Sequence, residues 1–302
     1  MRYILLPVLC VIFHFSFAQS SLNNSRPLVV ATYQYADNPR VKNIEPFAMH
    51  FAEVAGQKTV VKSYPTVHEL LEALRKNEAD IVFINTFGYL LMREITQNYE
   101  VSATLHLPGD AASIYRSVIV SPKDNHLTSL QQGVDRAADN FLILVSPGST
   151  SGNLLPRLKL ASMLPDEPER LFVEVQYAER HDAALSLALE EKFAIASCGI
   201  DEYHKLGADT VKFNLLWKSD PIPLGPVLVR KDLSENLKIS LQNALLELRE
   251  QNPEALEAIK SGWTEARPAD FYTVPNDAYY NSLLDLAGDK QKALRIIKKF
   301  AR

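Results

Sequence analysis

Short runs of β-branched and aromatic residues, separated by helical patterns, do most to restrict how this 302-residue chain can fold. They are Leu28 to Tyr33, Thr59 to Tyr64, Asp80 to Asn85, Ser117 to Val120, Phe141 to Ser146, Phe172 to Tyr177, Phe193 to Ser197 and Val227 to Arg230. Strand-like runs alternating with helices predict an α/β fold with largely parallel sheets. One intervening helix is marked by its start. Thr66 with Glu69 three residues on is a capping-box signature, after which Val67, Leu70, Leu71 and Leu74 share one apolar face. The C-terminal third reads as helical from Leu233 to Glu250 and from about Asn276 to Arg302. Its basic end, Lys298-Lys299-Phe300-Ala301-Arg302, suits the last turn of a helix, where cations complement the dipole.

Two punctuated stretches divide the chain. Pro108-Gly109 lies before, and Asp220-Pro221-Ile222-Pro223-Leu224-Gly225-Pro226 after, a self-contained series of strand and helix signals. If both stretches cross between domains, residues 115–224 form one lobe, and residues 27–114 and 225–302 together form the other. A chain that crosses twice makes a hinge.

The N-terminus carries a different signal. Arg2 precedes an apolar run from Tyr3 to Phe17, broken by His14 and Ser16 and closing in Ser16-Phe17-Ala18 before Gln19. The run is shorter than the ~20 residues that span a bilayer, so residues 1–18 are expected to be a cleaved signal peptide and the mature protein periplasmic. Cys10 falls inside the hydrophobic region with Leu9 before it, where a lipoprotein site would have a small residue. With Cys10 removed, Cys198 stands alone and no intramolecular disulfide can form.

Composition narrows the function. A 47% hydrophobic and 23% charged chain of net charge −4, with acidic and basic residues interspersed, does not suggest a nucleic-acid partner. The seven His are scattered, and neither H-x-x-x-H nor C-x-x-C occurs, so no metal or other cofactor is expected.

The chemistry concentrates after the Phe141 run, in Pro147-Gly148-Ser149-Thr150-Ser151-Gly152, where a buried strand enters a turn of small hydroxyl residues ahead of a helical pattern. The first N–H groups of a helix lack intrahelical partners and sit at the positive end of its dipole, so such a turn can hold an oxyanion. It can equally be a helix cap, although three consecutive hydroxyls exceed what one cap needs. Pro156 falls early in the same helix. His181, ahead of Asp182 and the helical pattern Ala183 to Leu189, is either a surface or capping residue or a donor to an anion, and the two readings differ in burial. Ser149 or Ser151 as nucleophile, His181 as base and Asp182 or Asp201 as orienting acid would make a hydrolase, but the turn lacks G-x-S-x-G.

In order, Ala79-Asp80-Ile81-Val82-Phe83, Tyr115-Arg116-Ser117-Val118-Ile119-Val120, Gly148 to Gly152 with Pro156, Tyr177 with His181-Asp182-Ala183, and Ser219 to Pro223 with Val227 to Ser234 resemble the phosphate/phosphite/phosphonate binding-protein family of ABC importers. The resemblance implies a type II periplasmic binding-protein fold, two α/β lobes joined by a hinge with a ligand cleft between them. It implies a monomer without cofactor that captures a small phosphorus oxyanion by hinge closure and delivers it to a membrane ABC permease, or reports it to a sensor kinase. Ser149, Thr150, Ser151, Gly152 and His181 then hold the oxyanion, with Tyr115 near the hinge. The chain departs from the family at Val67 and Ile84, where it often has aromatics, and at Gly225, where members that bind an aminophosphonate supply a carboxylate; Asp201 matches the other carboxylate. Replacement contacts can come from strand ends, which are common ligand positions in open α/β sheets: Tyr33, Gln34 and Tyr35, or Asn85 and Thr86.

Overall fold

A computed structural model describes residues 26–109, 115–205, 211–276 and 278–301; the expected signal peptide lies outside them. Within these residues the strands are β1 (Leu28–Tyr33), β2 (Thr59–Tyr64), β3 (Ile81–Phe83), β4 (Tyr99–Leu105), β5 (Ser117–Pro122), β6 (Phe141–Leu144), β7 (Val175–Tyr177), β8 (Ala194–Gly199), β9 (Phe213–Lys218), β10 (Pro226–Arg230) and β11 (Tyr272–Thr273). They form two sheets, one ordered β11-β4-β10-β3-β1-β2 and the other β7-β6-β8-β5-β9. Each sheet is the centre of a lobe. The chain leaves the first sheet after Leu105, enters the second at Ser117, and returns between Lys218 and Pro226. The connecting segments run side by side, with Ser219 N–H donating to the Ser117 carbonyl at 2.9 Å and Ile222 N–H to that of Tyr115 at 2.8 Å.

The sheets are mixed where the alternation predicted largely parallel ones. β1 pairs in parallel with β2 and β3, and β6 with β7 and β8. The remaining pairs, β3 with β10, β4 with β10 and β11, and β5 with β8 and β9, are antiparallel. Helical crossovers such as Val41–Ala55, between β1 and β2, bring the next strand back parallel. β5 and β10 instead arrive from the other lobe, and among the described residues of those connections there is no crossover helix to set their direction. β4, β9 and β11 went unsignalled: β4 is interrupted by Glu100, Ser102 and Thr104, β9 is a half-exposed edge, and β11 has two residues.

The capping signature at Thr66 is realised, with Glu69 N–H donating to the Thr66 hydroxyl at 3.1 Å at the start of the helix Val67–Arg75. Asp80, just before β3, is fully buried and ties the lobe together. It accepts two 2.7 Å bonds from Arg26 and one of 2.8 Å from the Val29 N–H, and lies 3.2 Å from Arg230 on β10.

The core of the first lobe reaches into the second. Leu154, Leu155 and Leu158 share one hydrophobic cluster with Phe47, Phe87, Leu283 and Ile297. The C-terminal helix, Lys290–Phe300, spans both: Phe300 meets the Phe87 ring at 5.8 Å and the Arg157 guanidinium at 5.1 Å, and Lys299 pairs with Glu167 at 2.8 Å.

Candidate functional site

A cleft of about 830 Å³ separates the lobes. Of the nine residues singled out from the sequence, eight line it; Gly152 does not.

The hydroxyl turn is at once a cap and a source of free donors, with different residues in the two roles. Ser149 Oγ accepts the Gly152 N–H at 3.0 Å, which is the capping bond. Residues Thr150–Leu154 then form a π-helical turn, with Leu154 N–H bonded five residues back to the Ser149 carbonyl at 3.0 Å, before the α-helix Leu155–Ala161 begins. Pro156 accounts for this irregularity. Having no N–H, it cannot bond the Gly152 carbonyl in an α-turn or that of Ser151 in a π-turn. Both carbonyls turn to the sheet instead: Ser151 O accepts the Ser117 hydroxyl at 2.6 Å, and Gly152 O accepts the Ser197 hydroxyl at 2.8 Å and the Val145 N–H at 3.0 Å. A Cβ on Gly152 would meet Val145 at 2.2 Å, so this position belongs to the sheet packing. Thr150 and Ser151 are left with backbone N–H groups at a helical start and hydroxyls at the cleft. The Tyr115 hydroxyl lies within hydrogen-bonding reach of both side chains, and burial raises its phenol well above the usual range.

His181 opens the helix His181–Glu191 and is half-buried on the cleft wall. Its Nδ1 accepts the Gly199 N–H at 3.0 Å, which places the proton of the neutral ring on Nε2. Burial pushes the imidazole down to about 4, so it stays neutral and can act as a donor at neutral pH. Gly199 lies between the two groups: a Cβ there would stand 3.6 Å from Ser151 Oγ and 3.9 Å from the His181 ring. The hydrolase arrangement is not assembled, because Nδ1 is taken by a backbone amide and Asp182 pairs with Arg180 at 2.6 Å.

From the first lobe, Tyr33 and Tyr35 face the cleft, with Tyr35 6.3 Å from the His181 ring. Asn85 also lines it, but its amide is committed. It caps the helix Thr86–Ile95 by accepting the Gly88 N–H at 2.8 Å, and donates across the cleft to the Gly148 carbonyl at 2.9 Å. The Phe87 N–H crosses likewise to Thr150 Oγ1 at 3.1 Å. Thr86 turns away, its hydroxyl on the Pro223 carbonyl.

Of the three departures, Val67 lines the cleft beside Gly148, while Ile84 and Gly225 lie behind it around a small apolar cavity. A Cβ on Gly225 would stand 1.9 Å from the Ile84 carbonyl oxygen and 2.6 Å from the Asn85 Cα. A carboxylate cannot be accommodated there without moving the strand. Gly225→Asp is expected to destabilise the protein by about 1–3 kcal/mol, read from chemical unfolding, and to add no affinity for an amine-bearing phosphonate.

Sequence reasoning missed Arg40 and Glu265, both of which line the cleft. Arg40 is 4% exposed and adopts a left-handed backbone at φ 57°. Its guanidinium lies on the rings of Trp263 at 4.4 Å, Tyr33 at 4.7 Å and Tyr35 at 5.4 Å, and donates to the Gly262 carbonyl at 2.9 Å. Trp263 and Glu265 come from the returning chain, some 220 residues later, so no local pattern joins them to Arg40. Burial raises the carboxyls of both Glu265 and Asp201.

The family model described as ABC transporter, phosphonate, periplasmic substrate-binding protein matches residues 30–274. The phosphonates-binding periplasmic protein of Escherichia coli (strain K12) is 24% identical over 237 residues, covering 76% of this chain and 68% of that protein. A binding-protein component of an ABC phosphonate transporter from Pseudomonas aeruginosa superposes with a TM-score of 0.68 at 17% identity, over 90% of this chain and 89% of its own. A protein from Prochlorococcus marinus in complex with methylphosphonate gives a TM-score of 0.66 at 17% identity, over 88% and 98% respectively. These structural likenesses bear on the fold, which is that of the two-lobed type II periplasmic binding proteins.

Proposed function

The chain belongs to the family of periplasmic substrate-binding proteins of ABC phosphonate transporters, and from that premise we propose that its cleft captures a small phosphorus oxyanion, a phosphonate, phosphite or phosphate-like ion, for a membrane permease. The observation that carries this reading is the convergence of Ser151 and the neutral His181 on the space over Gly199, in the cleft that Thr150 also lines. Helix-start N–H groups, hydroxyls and an Nε2–H are all donors, and an ionised oxyanion is rich in acceptors. The site needs no cofactor and activates no nucleophile, so it binds and releases without turnover. Tyr115, Tyr33 and Asp201 shape the remaining wall. The crossings from Asn85 to Gly148 and from Phe87 to Thr150 hold the lobes together over the ligand, and their breakage opens the cleft. The protein works as a monomer, exported behind a leader that is then removed.

A thermal-shift panel of phosphonate, phosphite, phosphate, sulfate, sugars and amino acids tests the ligand class. A phosphorus oxyanion at about 100 times its Kd stabilises the folded state by about 2.7 kcal/mol, visible as a clear rise in Tm. Native mass spectrometry should show one ligand per chain. A panel in which only a sugar or an amino acid raises Tm refutes the reading.

A further inference from the structure

Arg40 is a cation buried in the first-lobe wall of the cleft, and no carboxylate among the described residues pairs with it. The other cations of the cleft differ. Arg180 is paired with Asp182 at 2.6 Å and Lys205 with Glu202 at 2.9 Å, while Arg267 stands on the exposed rim. Glu265 shares the wall with Arg40 but feels it through space, without an ion pair among the described residues. Three rings serve the faces of the guanidinium, Trp263 at 4.4 Å, Tyr33 at 4.7 Å and Tyr35 at 5.4 Å. Its edge is served less well. A guanidinium carries five N–H donors. Nε donates to the Gly262 carbonyl at 2.9 Å, whereas Nη1 is shut off from water and has no acceptor among the described residues. A buried cation with a bare donor is unfavourable, and buried charges in folded proteins are paired as a rule.

The backbone adds to the excess of positive charge. Arg40 is the N-cap of the helix Val41–Ala55, which has no capping side chain and no acidic residue in its first turn. A helix start carries partial positive charge, so a cation placed there is unfavourable until an anion joins it. Asp37, three residues earlier, is exposed and acts on Arg180. Tyr35 links this point to the proposed oxyanion site, with its ring 5.4 Å from the Arg40 guanidinium and 6.3 Å from the His181 ring.

The geometry points to Arg40 as the anchor of a second acidic group on the ligand, so that the cleft takes a phosphonate whose organic substituent ends in a carboxylate. This rests on the function proposed above and names the ligand class within it. The phosphonate end meets Ser151 and His181, and the carboxylate end meets the bare edge of the guanidinium at the helix start. Tyr35, half-buried at the cleft surface, is the side chain that gives way to it. The polarity is the reverse of what an aminophosphonate needs. Gly225 leaves no room for a carboxylate, and the buried charge that this lobe brings to the cleft is a cation. An arginine fork also suits a planar carboxylate better than a lone ammonium would.

The test is calorimetric titration, at neutral pH, of methylphosphonate, phosphonoacetate and the carboxyl methyl ester of phosphonoacetate into wild-type protein and Arg40→Met. The ester keeps the length of phosphonoacetate without its second charge. Wild type should bind phosphonoacetate more tightly than either of the others by about tenfold or more, the size of a hydrogen bond to a charged group. In Arg40→Met that ratio should collapse. Should this variant fail to fold, Arg40→Gln takes its place, because its amide can still donate to the Gly262 carbonyl. A variant that keeps the full ratio overturns the assignment. So does wild type that binds the ester as tightly as phosphonoacetate, a measurement that needs no variant. Either result leaves the proposed function intact provided methylphosphonate binds, whereas a wild type that binds none of the three removes both.

Discussion

Thr150→Ala combined with Ser151→Ala is expected to weaken phosphorus-oxyanion binding by about 10²- to 10⁴-fold, two charge-assisted hydrogen bonds at about 1.5–3 kcal/mol each. The two positions differ in what else they support. Thr150 Oγ1 also accepts the Phe87 N–H, so its loss leaves a buried donor unpartnered and costs about 1–2 kcal/mol of stability. The Ser151 side chain reaches the Tyr115 hydroxyl, which Thr150 can still serve, and accepts no such backbone bond among the described residues, so its single substitution should lower affinity with the smaller change in unfolding. Ser149→Ala should show the reverse pattern, a loss of about 1 kcal/mol of stability from the cap and a smaller loss of binding. Calorimetric titration and urea unfolding on the same three proteins separate these effects. Unchanged affinity in the double variant would reduce the turn to a helix start and remove the proposed site.

The largest effect on folding is expected far from the cleft. Asp80→Ala should lower the unfolding free energy by about 2–4 kcal/mol, because it removes the buried acceptor of the Val29 N–H and one partner of Arg230, which is only 12% exposed at its side chain and keeps Asp232 and the Asn77 carbonyl. The Arg26 partner is half exposed and rehydrates, so its bidentate pair contributes the smaller share. The affinity of the folded fraction should stay at the wild-type value. A loss below about 1 kcal/mol in urea unfolding would mean that Asp232 and the Asn77 carbonyl suffice for Arg230 and that the Asp80 carboxylate does not tie the lobe together.

Much of the fold was legible because its signals are local. The runs at Leu28, Thr59, Ser117, Phe141 and Val227 are strands, and Thr66 starts its helix as its capping pattern requires. Strand direction was not legible, since it depends on which lobe the chain arrives from; β5 and β10 look like any other buried run. The site divides along the same line. The Ser149 to Ser151 turn and His181 each follow a strand and announce their chemistry in consecutive residues. Arg40, Trp263 and Glu265 form their cluster only when the returning chain folds back on the first lobe, and the left-handed backbone at Arg40 leaves no mark in composition. Asn85 was read as a candidate contact from its strand-end position. Asn85 lines the cleft, but sequence could not show that both ends of its amide are occupied.

The π-turn at Thr150–Leu154 also sets the rotational phase of the helix Leu155–Ala161. A π-turn closes over one more residue than an α-turn, and in a helix one residue corresponds to about 100° of rotation. That extra residue lets Leu155 and Leu158 face the shared core while Thr150 and Ser151 face the cleft. Removing a single residue from the turn would put the two surfaces out of step, burying the hydroxyls or exposing the leucines. In chains of this build, a gap or insertion between Gly148 and Pro156 therefore changes which groups line the cleft, even where every serine and threonine is kept.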